Sequence, residues 1–198
     1  YITGHVEGLY SRNADVEVYV KSNSTRNTIM ARTDENGDYE AKWVPVGNQA
    51  GRFIVGACTI GENLNEEMDA FDVYGMRRYD SGFIKDELET GETAGNYLHL
   101  LNHGSLPLTG LKVIAEYNTA TAKIDFTGIT SLQPGENGRI TYTIEGLVPT
   151  EGKDWEKINI RIESAEGAVF EQTAYYYVRS SKPVLKASVN EINTTIIK

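Results

Sequence analysis

The stretch ARTDENGDYEA, residues 31–41, sets three carboxylates, an amide and a glycine side by side. Asp34, Asn36 and Asp38 alternate as the oxygen ligands of a calcium loop do. Such a loop, however, places its glycine after the third ligand and closes with a bidentate Glu. Here Gly37 falls between the second and third positions, and no Glu closes the set. The spacing predicts a hairpin turn instead: Asp34 caps backbone amides, Asn36 and Gly37 take positive φ angles, and Tyr39 starts the next strand.

Other groups with chemical potential resolve in the same way. His99 and His103 stand four apart, the spacing of two metal ligands on a helix, but HLLNHG lacks the Glu of a zinc-protease motif and offers no third ligand. Glu66, Glu67, Asp69 and Asp72 could supply a glycosidase pair only if two of them were opposed in a cleft. Nothing in the sequence marks such a pair, and the cluster is expected to be a solvated acidic face. No Gly-x-Ser-x-Gly elbow and no phosphate-cradling glycine loop occurs. No catalytic residue, cofactor or metal is therefore assigned.

Twelve tyrosines and two tryptophans leave one ligand chemistry open. Exposed aromatic faces stack on sugar rings while neighbouring amides and carboxylates satisfy the hydroxyls. Tyr39, Trp43, Tyr74 and Tyr79 are the candidates, with Trp155 further along the chain. A Lys-to-Asn isopeptide bond would need an amine, an amide and a carboxyl group desolvated together. Lys21 with Asn63 or Asn65 is the available set, although Lys21 follows a polar-facing pattern. Asn23 and Asn193 stand in glycosylation sequons, which matter only where that machinery exists.

Composition narrows the partners. The chain has 198 residues and a formal charge of −9, from 28 acidic against 19 basic side chains. Such a surface repels phosphate backbones and anionic headgroups, so nucleic acid is not an expected partner, and Arg77-Arg78 is the only adjacent basic pair. No window has the ~18 apolar residues of a membrane helix, so direct membrane insertion is not expected. The single Cys58 lies in an apolar run, GRFIVGACTIG, and behaves there as a small hydrophobe. The chain opens at Tyr1, which is read as a piece of something longer.

The elements that position these groups have a period of two. Val16, Val18 and Val20 alternate with Asp15, Glu17 and Tyr19; Ile140, Tyr142 and Ile144 alternate with Arg139, Thr141 and Thr143; Ile158, Ile160 and Ile162 repeat the pattern. Alternation of this kind describes sheets with one buried and one wet face, an arrangement that antiparallel sheets tolerate. Further strands are expected in ITGHVEG, RFIVGACTI, YLHLLN, LKVIAEY, AKIDF and FEQTAYYYV, separated by Gly-, Pro- and Asn-rich turns. GENLNEEMDAF alone could hold a helical turn. The expected fold is all-β, with two tandem antiparallel β-sandwiches at 1–80 and 81–180, joined near 80–96. Residues 181–198 are read as the start of a further module or a terminal strand.

Residues 2–60 resemble the carboxypeptidase-regulatory or transthyretin-like module through ITGHV, ADVEVYV, the turn ARTDENGDYEA and GRFIVGA. Residues 97–178 resemble immunoglobulin-like modules of the CARDB/NEW3 type through LLNHGSLPLTGLKV and SLQPGENGRITYTI. The resemblance implies non-catalytic spacer, adhesion or presentation units of a large bacterial or archaeal secreted or cell-surface protein, whose partners are other domains of the same polypeptide and, beyond them, a glycan or surface protein. The alternative it leaves is a carbohydrate-binding accessory region of a polysaccharide-degrading enzyme.

Overall fold

The computed structural model describes residues 1–23, 25–46, 49–62, 67–150, 152 and 154–181. The isopeptide candidates Asn63 and Asn65, Glu66 of the acidic cluster, the sequon at Asn193 and the expected terminal module at 181–198, except Ser181, lie outside them. The described chain is all-β. The first sandwich contains β1 (Ile2–His5), β2 (Asp15–Ser22), β3 (Thr25–Arg32), β4 (Asp38–Ala41), β5 (Gly51–Thr59) and β6 (Asp69–Val73). The second contains β7 (Met76–Arg78), β8 (Lys85–Glu89), β9 (Thr93–Asn102), β10 (Lys112–Glu116), β11 (Ala122–Gly128), β12 (Asn137–Gly146), β13 (Glu156–Glu163) and β14 (Val169–Arg179). None of the described residues forms a helix long and apolar enough to cross a membrane.

In the first sandwich a four-stranded sheet, ordered β3-β2-β5-β6, faces a two-stranded β1-β4 sheet. Val16 and Val18 of β2, Val55 and Ala57 of β5 and Ala41 of β4 meet between the layers. Burying each of the valines is worth roughly 1.5–3 kcal/mol, and each alanine methyl less. The expected wet face of β2 is only partly wet. Tyr19 is buried because it lies opposite Gly56, where there is no side chain, and the Arg26 guanidinium covers its ring at 4.3 Å.

The turn at 34–38 also differs from expectation in two respects. It is a corner between sheets rather than a hairpin tip, since β3 belongs to one sheet and β4 to the other. Of Asn36 and Gly37, only Gly37 has a positive φ, 94°. The capping role of Asp34 holds: its Oδ1 accepts from the amides of Asn36 at 2.7 Å and Asp38 at 3.0 Å. Five charge-rich positions are thus spent on redirecting the chain from one layer to the next.

The second sandwich packs the sheet β11-β12-β9-β7 on the sheet β10-β13-β14-β8. Leu98, Leu100, Ile140, Ile144, Ile158, Ile160 and Ile162 fill the space between, as their alternation requires. The sheets of the two modules part between Val73 and Met76, earlier than residue 80, because Met76–Arg78 pairs with β9. The segment expected to join the modules near 80–96 instead carries β8 and the start of β9. One pairing departs from the antiparallel rule: β8 runs parallel to β14, with Lys85 opposite Tyr175 and Glu89 opposite Arg179. GENLNEEMDAF contributes the first residues of β6, not a helix, within its described part.

Candidate ligand-binding surfaces

Of the carboxylates that prompted metal and catalytic readings, Asp34 serves the backbone, and so do three others, Glu92, Glu136 and Glu166. Asp34 and Glu166 are both held below the ordinary carboxylate range, Glu166 down to about 2, by hydrogen bonds from turn residues. For Asp34 the main donors are the amides of Asp38 and Asn36; for Glu166 they are the Thr109 hydroxyl and amide. Glu92 and Glu136 likewise accept from the amides of Glu89 and Gln133, each at 2.7 Å. An anion that accepts N–H bonds stabilises a turn whose donors have no ladder partner. The Asp38 carboxylate meets His5 Nδ1 at 2.8 Å. Asp72 of the acidic cluster accepts a hydrogen bond from Ser105, while Glu67 and Asp69 face solvent.

The two histidines are engaged separately. His99 hydrogen-bonds Asn137 Oδ1 through Nε2 at 2.9 Å on the outer face of β9. His103 follows that strand and lines a hollow with Gln49, Tyr74 and Phe170. Lys21 is exposed, so the amine proposed for an isopeptide bond stands in water. Cys58 is a buried free thiol at the end of β5.

The aromatic candidates fall into three places. Tyr39 and Trp43 line a groove of about 590 Å³ beside β1 together with Met68 and Phe71. Tyr39 lies against Gly4 in the space a Cβ would take, and its partial burial raises the hydroxyl pKa. Trp43 packs on Phe53 at 4.9 Å and on Phe71 at 5.4 Å, which commits its ring to the first core. Tyr74 packs on the second core.

Tyr79 is different. It is 55% exposed, just past β7, and its ring meets His99 at 4.7 Å. His99 in turn meets Tyr97 at 6.3 Å, and the Arg139 guanidinium sits 4.5 Å from the Tyr97 ring. The sequence singled out Tyr79 but missed Tyr97 and Arg139. Alternation had placed Arg139 on a wet face, and register brings it opposite His99, while Tyr97 lies two residues before His99 on the same side of β9.

No known protein family matches the chain, and no curated protein matches it. Among solved structures, a protein of unknown function from Porphyromonas gingivalis is 12% identical, with 83% of this chain and 85% of that one covered and a TM-score of 0.38. Domains 4 and 5 of the S-layer protein SbsC are 13% identical over 75% of this chain and 89% of theirs, TM-score 0.35. A family 123 glycoside hydrolase from Clostridium perfringens is 9% identical over 51% of this chain, which spans only 24% of that enzyme, TM-score 0.37.

Proposed function

We propose that this chain is a non-catalytic pair of β-sandwich modules, transthyretin-like then immunoglobulin-like, that spaces or presents other parts of a larger secreted or cell-surface polypeptide. The observation that carries this reading is the joint. Only Tyr74 and Gly75 separate β6 from β7, too few for a flexible linker. Each side of the joint is also tied to the other. Ser105, beyond β9, donates to Asp72 of β6; the His103 amide donates to the Gly75 carbonyl at 3.2 Å; Tyr74 packs on the second core.

Gly75 is required there for space. A Cβ at this position would stand 2.5 Å from the Ala50 Cβ and 2.9 Å from His103 Cε1. A spacer needs a fixed direction between its modules more than it needs a pocket, and a short, cross-tied joint supports that reading. The arrangement is tested by distance measurement between spin labels, one on each sandwich. A single narrow distribution is expected, and Gly75→Val should broaden or shift it while both sandwiches stay folded. A broad distribution in the unmodified chain would remove the basis for a spacer.

A further inference from the structure

We propose that the outer face of the β7-β9-β12-β11 sheet binds an acidic polysaccharide, with Tyr79 and His99 as its stacking floor and with Arg139, held over Tyr97, and Arg77 as its anion contacts. The register sets the face out in rows. Thr127, Thr141 and Tyr97 form one row; Arg139, His99 and Tyr79 form the next; Asn137, Leu101 and Arg77 form a third. At the ordinary strand spacing the four strands give a platform about 14 Å across.

Three properties of the face point to this ligand class. The first is stacking surface: Tyr79 is 55% exposed, and an exposed tyrosine ring offers a sugar an apolar body with a polar hydroxyl at its tip, while Tyr97, 39% exposed, seats Arg139. The second is hydroxyl and amide chemistry beside the rings. Thr127 and Thr141 hydrogen-bond each other at 3.2 Å on the exposed surface, and Asn137 adjoins His99. The third is charge. The chain carries −9 overall, yet these three rows contain two arginines and no carboxylate.

The opposite sheet provides the contrast. Its outward arginines are neutralised in place: Arg161 by Glu163 at 2.6 Å and Glu171 at 2.5 Å, and Arg179 by Glu87 at 3.2 Å. Among the described residues Arg77 and Arg139 form no ion pair. Arg139 is held over an aromatic ring, which fixes the guanidinium without consuming its charge. A preset cation beside a sugar-stacking ring is complementary to a pyranose bearing a carboxylate or sulfate.

The test uses the whole 198-residue chain. Retention on immobilised polygalacturonate, on heparin, on neutral dextran and on duplex DNA is compared by affinity electrophoresis and calorimetry. Binding to polygalacturonate, to heparin or to both is expected, with none to dextran; the arm that binds identifies the anion as carboxylate or sulfate. Arg139→Gln and Tyr79→Ala should each weaken that binding at least tenfold, and Arg161→Gln should leave it unchanged. All three positions are on the surface, and thermal melts confirm that the variants fold. Absence of binding to both acidic polysaccharides overturns the proposal. So does equal binding to DNA, which would mark a generic cationic patch, and so does full affinity in either platform variant.

Discussion

Tyr142 donates its hydroxyl to Asp86 Oδ2 at 2.5 Å inside the second sandwich. The other oxygen of Asp86 accepts from Asn96 Nδ2 at 2.9 Å, so a carboxylate only 8% exposed is met on both sides. The three residues come from β12, β8 and β9, and the bond from Tyr142 crosses from one sheet to the other. A buried polar group is tolerable when every partner is supplied and costly when one is withdrawn.

Asp86→Ala should therefore destabilise the second sandwich by about 2–4 kcal/mol, since it strands both the Tyr142 hydroxyl and the Asn96 amide. Tyr142→Phe should cost about 1–3 kcal/mol. The double variant should fall short of the sum, because both changes remove the same bond. Urea unfolding of the four proteins measures this; strict additivity would mean that the pair is not coupled.

An alkaline limit follows from the same tyrosine. Burial first, and then the hydrogen bond to Asp86, raise the Tyr142 hydroxyl well above its ordinary value of 10.0. Tyr176, buried beside Thr121, is raised as well. The unfolded chain loses these protons first, so their contribution is fully present below pH 10 and declines as pH rises beyond it. Stability should fall more steeply above about pH 10 in the natural chain than in Tyr142→Phe. Parallel slopes for the two proteins would contradict this assignment.

Asn102, fully buried at the end of β9, organises the loop that follows it. Its Nδ2 donates to the carbonyls of Leu106 at 2.9 Å and Leu132 at 3.1 Å, and its Oδ1 accepts from the Gly104 amide at 2.9 Å. Asn102→Ala leaves three backbone groups without this partner and should cost about 2–3 kcal/mol. Asn102→Asp should cost more, because a carboxylate would face two carbonyl oxygens. A lowered urea midpoint with an unchanged slope is the expected signature.

The fold was legible wherever burial and alternation coincide. β2 and β13 present Val or Ile on every second residue and β12 presents Ile140, Tyr142 and Ile144, and the structure buries each set. β8 was not legible, and Asp86 is the reason. Ile84, Asp86 and Leu88 do alternate inward, but a carboxylate in the middle reads as an exposed segment until its partners Tyr142 and Asn96 are known. Those partners lie 56 and 10 residues away along the chain.

β7, at three residues, is too short for a period to show, and in β6 the carboxylates Asp69 and Asp72, three apart, break any period of two. The surface around Tyr79 was half legible. A single exposed tyrosine can be suspected from composition, but its neighbours Tyr97 and Arg139 reach it through strand register, which turn lengths and long-range pairing decide. The Asp34 turn was legible as chemistry, through its cap, but not as topology, because the same residues suit a hairpin or a corner between sheets.

The parallel pairing of β8 with β14 has a mechanical consequence. β8 lies near the point where the chain enters the second sandwich, and β14 is the last described strand before it leaves. Because the two run in the same direction, tension applied across the module, once the three-residue β7 has peeled from β9, drags one strand lengthwise past the other. The five register pairs from Lys85–Tyr175 to Glu89–Arg179 are then loaded in shear and must yield together, whereas an antiparallel terminal pair would unzip bond by bond. Pulled end to end, this sandwich should give way in one high-force event, and Leu88→Pro, which removes a ladder donor from β8, should lower that force.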